Sequence, residues 1–321
     1  MVKFEEIGWN GFLIRVPEEM HLTRQGGDAN KGTFIIESED SLIEFYWNPI
    51  PKRQMPLLSI VDQITDRIEK EVKKKKLKFT TKRSDTIIND HKAIYLLLNY
   101  GVEERYYVWQ CPESNRIIAV RLAFKTYGER ERNIIKQLMG TIKCHMDGDN
   151  VWSLMKVRFE APKSFLLRSA EFSVGRSHIE LAESKISMLE DFGRMIYVCY
   201  FPLANIRFKD TYNNPEKWFD NVYLKDFTRI LRKRKVNFKF KDKVEIMGHE
   251  AIIKQAEMTS GLFTRTSGLC SAAFWYCPET NRMYFAALNT HVSKPVILKR
   301  RIERTEHERL FDRILESFQC H

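Results

Sequence analysis

Two spacings of apolar residues divide this chain. Short β-rich runs such as Phe12-Leu13-Ile14-Arg15-Val16, Thr33-Phe34-Ile35-Ile36 and Leu42-Ile43-Glu44-Phe45-Tyr46-Trp47 are separated by polar turns and predict strands. Leu57, Ile60, Val61, Ile64, Ile68 and Val72 then recur at helical spacing behind Pro56, a residue suited to a first helical turn. Further strands are predicted at about 78–88, 93–100, 105–110 and 116–124. A closing helix carries Ile134, Ile135, Leu138, Met139 and Ile142.

The pattern then repeats. Trp109-Gln110-Cys111-Pro112-Glu113-Ser114-Asn115-Arg116 returns as Trp275-Tyr276-Cys277-Pro278-Glu279-Thr280-Asn281-Arg282, 166 positions later. The five apolar positions of the closing helix return as Leu310, Phe311, Ile314, Leu315 and Phe318, and the Cys144-His145 pair after it as Cys320-His321, at an offset of 176. His91-Lys92-Ala93 matches His249-Glu250-Ala251 at 158, and Val16-Pro17 matches Ala161-Pro162 at 145. Offsets that grow along the chain are those of a tandem duplication with loop insertions. In the second copy Trp218, Phe219, Val222, Tyr223, Phe227, Ile230 and Leu231 supply the first helix's stripe. The expected fold is therefore α+β, two tandem copies of an antiparallel sheet covered by helices, in repeats 1–146 and 151–321.

This element order resembles the PsbP-like fold. The resemblance rests on the Asp90-His91-x-Ala93 and Gly248-His249-x-Ala251 strands after the first helix, and on a final helix ending Ile314-Leu315-Glu316-Ser317-Phe318. It implies a non-enzymatic binding scaffold and transfers no functional residue.

Composition narrows the class. The 321 residues are 43% hydrophobic and 30% charged, which describes a globular chain. No apolar window reaches the ~18 residues of a membrane span. The N-terminus lacks a secretory h-region, so a cytoplasmic protein with no membrane partner is expected, its six cysteines mainly thiols. Net charge is +11, unevenly shared: residues 1–150 hold 24 basic and 22 acidic side chains, and residues 151–321 hold 29 and 20.

The shared hairpin has a physical logic. Pro112 pre-sets a turn, Asn115 tolerates the left-handed conformation that closes it, and Arg116 begins the return strand near the Cys111 thiol, whose pKa it could lower. From there about nine strand residues run ~30 Å away, and about fourteen helical residues bring the chain ~20 Å back. Cys144 and His145 should thus approach Cys111, and Cys320 and His321 should approach Cys277. Two readings follow: structural thiol pairs joined as disulfides, or an incomplete thiolate–imidazole site. With three ligands per half against the four that zinc takes, no metal and no cofactor are expected. Cys199 and Cys270 have no counterparts in the first half and read as core.

No phosphate-binding glycine loop, HExxH helix or GxSxG elbow occurs, and no catalytic residue is assigned. The remaining chemistry is electrostatic. Lys73, Lys74, Lys75 and Lys76 follow the first helix, and Arg232, Lys233, Arg234 and Lys235 follow its counterpart, offset 159. A longer loop in the second copy adds Lys299, Arg300, Arg301 and Arg304. These twelve are the candidate nucleic-acid-binding residues. The expected function is a non-catalytic tandem-domain protein associating with RNA or a ribonucleoprotein surface such as the ribosome. The alternative is an adaptor for an acidic protein partner.

Overall fold

A computed structural model describes residues 3–52, 55–187, 191–231, 236–260, 264–295 and 302–321. The chain forms two compact units, Met1–Leu154 and Met155–His321. No described helix is long and apolar enough to cross a membrane.

The first unit contains, in order, strands β1 (Phe4–Trp9), β2 (Phe12–Pro17), β3 (His21–Gly27), β4 (Gly32–Glu37) and β5 (Ser41–Pro49). Helix α1 (Leu57–Lys74), β6 (Thr80–Ile88), β7 (His91–Asn99), β8 (Glu103–Cys111), β9 (Arg116–Phe124), helix α2 (Glu129–Thr141) and β10 (Asn150–Leu154) follow. Seven strands make one antiparallel sheet in the order β3-β4-β5-β9-β8-β7-β6. Helix α1 packs on β7 and β8 because its stripe meets their alternating apolar face, with Val61, Ile94, Leu96, Leu98 and Val108 buried between them. Helix α2 packs against β2. On its other edge β1 takes β10, pairing Gly8 with Ser153. A Cβ on Gly8 would fall 2.5 Å from the Val151 carbonyl oxygen, so this approach requires glycine.

The second unit repeats the plan. After β11 (Val157–Ala161) come β12 (Leu166–Phe172), β13 (Ser177–Ile186) and β14 (Asp191–Pro202). Three short helical pieces follow: α3 (Ala204–Arg207), α4 (Pro215–Trp218) and, beyond a π-turn at Phe219–Tyr223, α5 (Leu224–Ile230). Strands β15 (Lys239–Ile246), β16 (His249–Ser260), β17 (Thr264–Cys277) and β18 (Arg282–Pro295) and helix α6 (Arg304–Glu316) complete the unit. Its sheet order, β12-β13-β14-β18-β17-β16-β15, matches the first strand for strand. The duplication is thus structural as well as sequential.

The copies differ in how they cover one sheet face. Where the first uses the 18-residue α1, the second uses broken helices whose aromatic rings interlock. Phe219 stacks on Phe274 at 4.6 Å, and Trp218 stacks on Tyr223 at 5.2 Å. The π-turn explains a departure from the expected stripe. Its wider winding brings Tyr223 back over Trp218 and rotates Val222 outward, to 44% exposure. Cys199 and Cys270 are buried in this apolar layer.

Candidate metal centres

Each unit gathers two cysteines and two histidines at one end of its sheet. The groups are His91, Cys111, Cys144 and His145 in the first, and His249, Cys277, Cys320 and His321 in the second. In each, the donor atoms all lie within 4.8 Å of one another.

Local structure accounts for every placement. The β6–β7 turn is Asn89-Asp90, both left-handed at φ 46° and 64°, and Ile88 pairs with His91. Two successive left-handed residues make the tight hairpin turn that matches sheet twist. Met247 and Gly248 do the same at 50° and 80°, pairing Ile246 with His249. Each histidine therefore opens a returning strand. Ala93 pairs with Trp109, so the register carried two residues further sets His91 opposite Cys111. Ile252 pairs with Phe274, which sets His249 opposite Cys277 in the same way.

Cys111 ends β8 opposite Arg116, and the Pro112–Asn115 turn closes with an amide of Asn115 donating to the Pro112 carbonyl at 3.0 Å. Asn115 is left-handed, φ 53°, as is Asn281 at 50°. The last two ligands arrive from behind the closing helix. Lys143 exchanges two backbone hydrogen bonds with Leu13, of 2.8 and 3.0 Å, and Gln319 exchanges two with Arg158, of 2.7 and 2.9 Å. These bridges fix the segments bearing Cys144-His145 and Cys320-His321 against β2 and β11.

The distances suit a tetrahedral ion. Bonds of about 2.3 Å to sulfur and 2.0–2.1 Å to nitrogen put tetrahedral N···S edges at about 3.6 Å. His145 Nδ1 lies 3.4 Å from Cys111 Sγ and 3.7 Å from Cys144 Sγ. His321 Nδ1 lies 3.6 Å from Cys277 Sγ and 3.4 Å from Cys320 Sγ. His91 Nε2 and His249 Nε2 are buried and make no hydrogen bond among the described residues. Apart from the rim carboxylates described next, each nitrogen is available to an ion. A carboxylate stands at the rim of each centre. Glu113 Oε2 is 3.7 Å from His91 Nε2, and Glu279 Oε2 is 3.3 Å from His249 Nε2.

The sulfurs are electrostatically unlike. The Cys144 sulfur alongside pushes the Cys111 thiol up, and the Cys111 thiol, with help from the Trp109 indole and the Asn89 amide, lowers Cys144 to about 6. Burial, with the Cys277 sulfur alongside, raises Cys320 to about 12 although the Trp275 indole opposes the shift. Trp109 and Trp275 thereby gain a role. Two residues before the first cysteine, each shares its sheet face and is buried beside the second sulfur.

Two sequence expectations need correction, the ligand count and the direction of the Cys111 shift. The ligand count was three per half; it is four, because the hairpin register adds His91 and His249. Their matching positions in the two copies were the available signal, but a strand start gave no reason to look for them across the ladder. The metal-free expectation rested on that count. All six cysteines are free thiols. The Cys111 thiol is raised rather than lowered, because the Cys144 sulfur and burial outweigh the attraction of the Arg116 charge. Arg116 is buried and donates to the Asn10 carbonyl at 2.8 Å, clamping the β1–β2 hairpin. Arg282 does the same to the Met155 carbonyl at 2.6 Å.

Five of the twelve candidate nucleic-acid residues are described. Lys73 and Lys74 pair with Glu69 and Glu71 of their own helix, at 2.9 and 2.6 Å. Lys75 caps α1 and Lys76 is left-handed beyond it. Arg304 opens α6 and pairs with Glu257. Arg232, Lys233, Arg234, Lys235, Lys299, Arg300 and Arg301 lie outside the described residues.

No family model matches the chain, and no curated protein does. Among solved structures, the solution structure of cyanobacterial PsbP (CyanoP) from Synechocystis sp. PCC 6803 is similar at 8% identity and a TM-score of 0.34, over 44% of this chain and 93% of that one. The immunity protein TplEi of T6SS from Pseudomonas aeruginosa, complexed with "L" peptide, is similar at 12% identity and a TM-score of 0.32, over 99% of this chain and 98% of that one.

Proposed function

We propose that the protein is a non-catalytic tandem scaffold in which each unit is tied together by one zinc(II) ion. The observation that carries this reading is the repeated convergence of two thiols and two imidazoles within 4.8 Å. Sulfur and nitrogen donors at these spacings select zinc over magnesium or calcium. Four protein ligands fill a tetrahedral shell and leave no position for a reacting water, which is the structural rather than the catalytic arrangement. Each ion would join three distant segments: a hairpin turn, a second hairpin and the end of the closing helix.

Metal analysis of protein purified without chelator tests this directly. Two zinc ions per chain are expected, falling to one in Cys111→Ser or in Cys277→Ser. Free thiols that take up no added zinc would overturn the reading, as would the mass deficit of two disulfides in protein kept from oxidants.

An anionic partner, RNA or a ribonucleoprotein surface, is the second reading, favoured by the exposure of Lys73, Lys74, Lys75 and Lys76 at one end of α1. Retention on RNA should weaken steeply with salt. Reversing charge at Arg232, Lys233, Arg234 and Lys235, or at Lys299, Arg300 and Arg301, should weaken it more than reversing the α1 lysines. A partner captured after nuclease treatment would instead favour an acidic protein.

A further inference from the structure

The two centres share ligands, spacing and the tryptophan behind the second sulfur, but not what the neighbouring turn contributes. In the first unit Asn89 Nδ2 donates to Cys144 Sγ at 3.4 Å. That bond links the turn leading into His91 with the segment that carries Cys144 and His145. The matching position, 158 residues on, is Met247. Its thioether has no N–H to offer, and the side chain is 43% exposed. Both residues hold the same left-handed backbone, φ 46° and 50°, so the difference is one of side-chain chemistry alone.

We infer that the two centres are a retained and an exchangeable site: Asn89 locks metal into the first, and Met247 leaves the second open to exchange. This rests on the zinc reading above. An N–H donated to a metal-bound thiolate spreads its negative charge and holds the sulfur in the orientation the ion needs. Removing such a partner ordinarily costs 10–100-fold in metal affinity. Here the same bond also braces two segments that supply three of the four ligands. Moving His91 away from Cys144 and His145 in the first centre therefore requires breaking a bond for which the second centre has no counterpart at Met247. One ion would hold its unit together permanently. The other would respond to the available zinc and couple the second unit's order to it.

Zinc transfer from the full-length chain to excess 4-(2-pyridylazo)resorcinol tests the inference. Release should be biphasic, one equivalent in each phase, with rates separated by about 10–100-fold. Cys277→Ser should abolish the fast phase and Cys111→Ser the slow one. Asn89→Met should accelerate the slow phase, and Met247→Asn should slow the fast one. The second substitution puts a favoured turn residue at an exposed left-handed position, so it tests the idea even where Asn89→Met disturbs folding. Two equivalents leaving at one rate, with no effect of Met247→Asn, would overturn the inference and leave the zinc reading intact. No zinc at all would overturn both.

Discussion

His91 faces Cys111 across the β7–β8 ladder, each at the end of its strand, so one register decision brings an imidazole and a thiol to the same corner of the sheet. The same relationship holds between His249 and Cys277. Removing the metal should loosen this corner first. With free zinc at a thousand times its dissociation constant, binding stabilises a fold by about 4 kcal/mol. For units of this size that corresponds to about 8–16 °C in melting temperature. EDTA should lower the melting temperature by an amount in that range. His91→Ala should bind one zinc and lose part of the EDTA response. Calorimetry with and without chelator reads both effects.

The fold was more legible than the site, for physical reasons. Apolar alternation marks strands wherever one face is buried, so 116–124 coincides with β9, and the Leu57–Val72 stripe lies within α1. Strand β3 was missed because His21-Leu22-Thr23-Arg24-Gln25-Gly26-Gly27 is an edge with little apolar content and two glycines. Cys111, Cys144 and His145 were brought together by counting strand and helix lengths, since that argument needs only rise per residue. His91 required the hairpin register, which depends on a two-residue turn, Asn89-Asp90, that composition did not single out. Asn89 itself acts through a side chain reaching 55 residues along the chain, a contact that no periodicity encodes.

A buried histidine contributes to the pH response of the second unit. His307 is 1% exposed, and its ring lies 3.0 Å from Ser271 Oγ and 2.8 Å from Thr290 Oγ1. Burial lowers its pKa to about 4 against 6.5 in the unfolded chain. Between those values the unfolded chain binds more protons, so stability is complete above about pH 6.5 and is lost as pH falls toward 4. The loss amounts to about 3 kcal/mol at 1.36 kcal/mol per pH unit. Denaturant titrations of zinc-free protein should show this decline, and His307→Gln should flatten it. A parallel slope in the variant would place the titrating group elsewhere.

The buried ammonium of Lys254 makes an asymmetric pair of predictions. Its side chain is 7% exposed, and Nζ lies 2.7 and 2.8 Å from the two Asp220 oxygens and 3.0 Å from Glu216. The two carboxylates are 43% and 44% exposed. Asp220→Ala leaves a charge in the interior with one remaining partner and should cost about 3 kcal/mol. Lys254→Met leaves carboxylates that water can reach and fills the same space with an apolar stem, so it should cost about 1 kcal/mol or less. Chemical denaturation of the two variants decides the order. The reverse ranking would mean that the ammonium reaches water when its partner is gone.

The two arginine clamps should be among the most sensitive positions in the molecule. Arg116 is 6% exposed and its guanidinium lies 5.1 Å from the Phe12 ring and 5.9 Å from Trp47. It donates to the carbonyl of Asn10, a left-handed turn residue at φ 51°. That carbonyl has no strand partner, because the β1–β2 hairpin reverses there, so removing the arginine leaves a polar group without its donor. A hydrogen bond from a charged group contributes about 1.5–3 kcal/mol, and a cation over aromatic faces adds about 1. Arg116→Ala should therefore destabilise by about 2–4 kcal/mol. Lysine at 116 should recover little of this, because an ammonium lacks the planar fork that reaches the carbonyl while lying along the rings. The effect should also reach the metal centre. Arg116 pairs with Cys111 across the β8–β9 ladder, and the hairpin it clamps includes Leu13, the residue that anchors Lys143 beside Cys144. In Arg116→Lys the zinc-release rate from the first centre should rise while that of the second stays fixed, an outcome that general loss of stability in the chain would not produce.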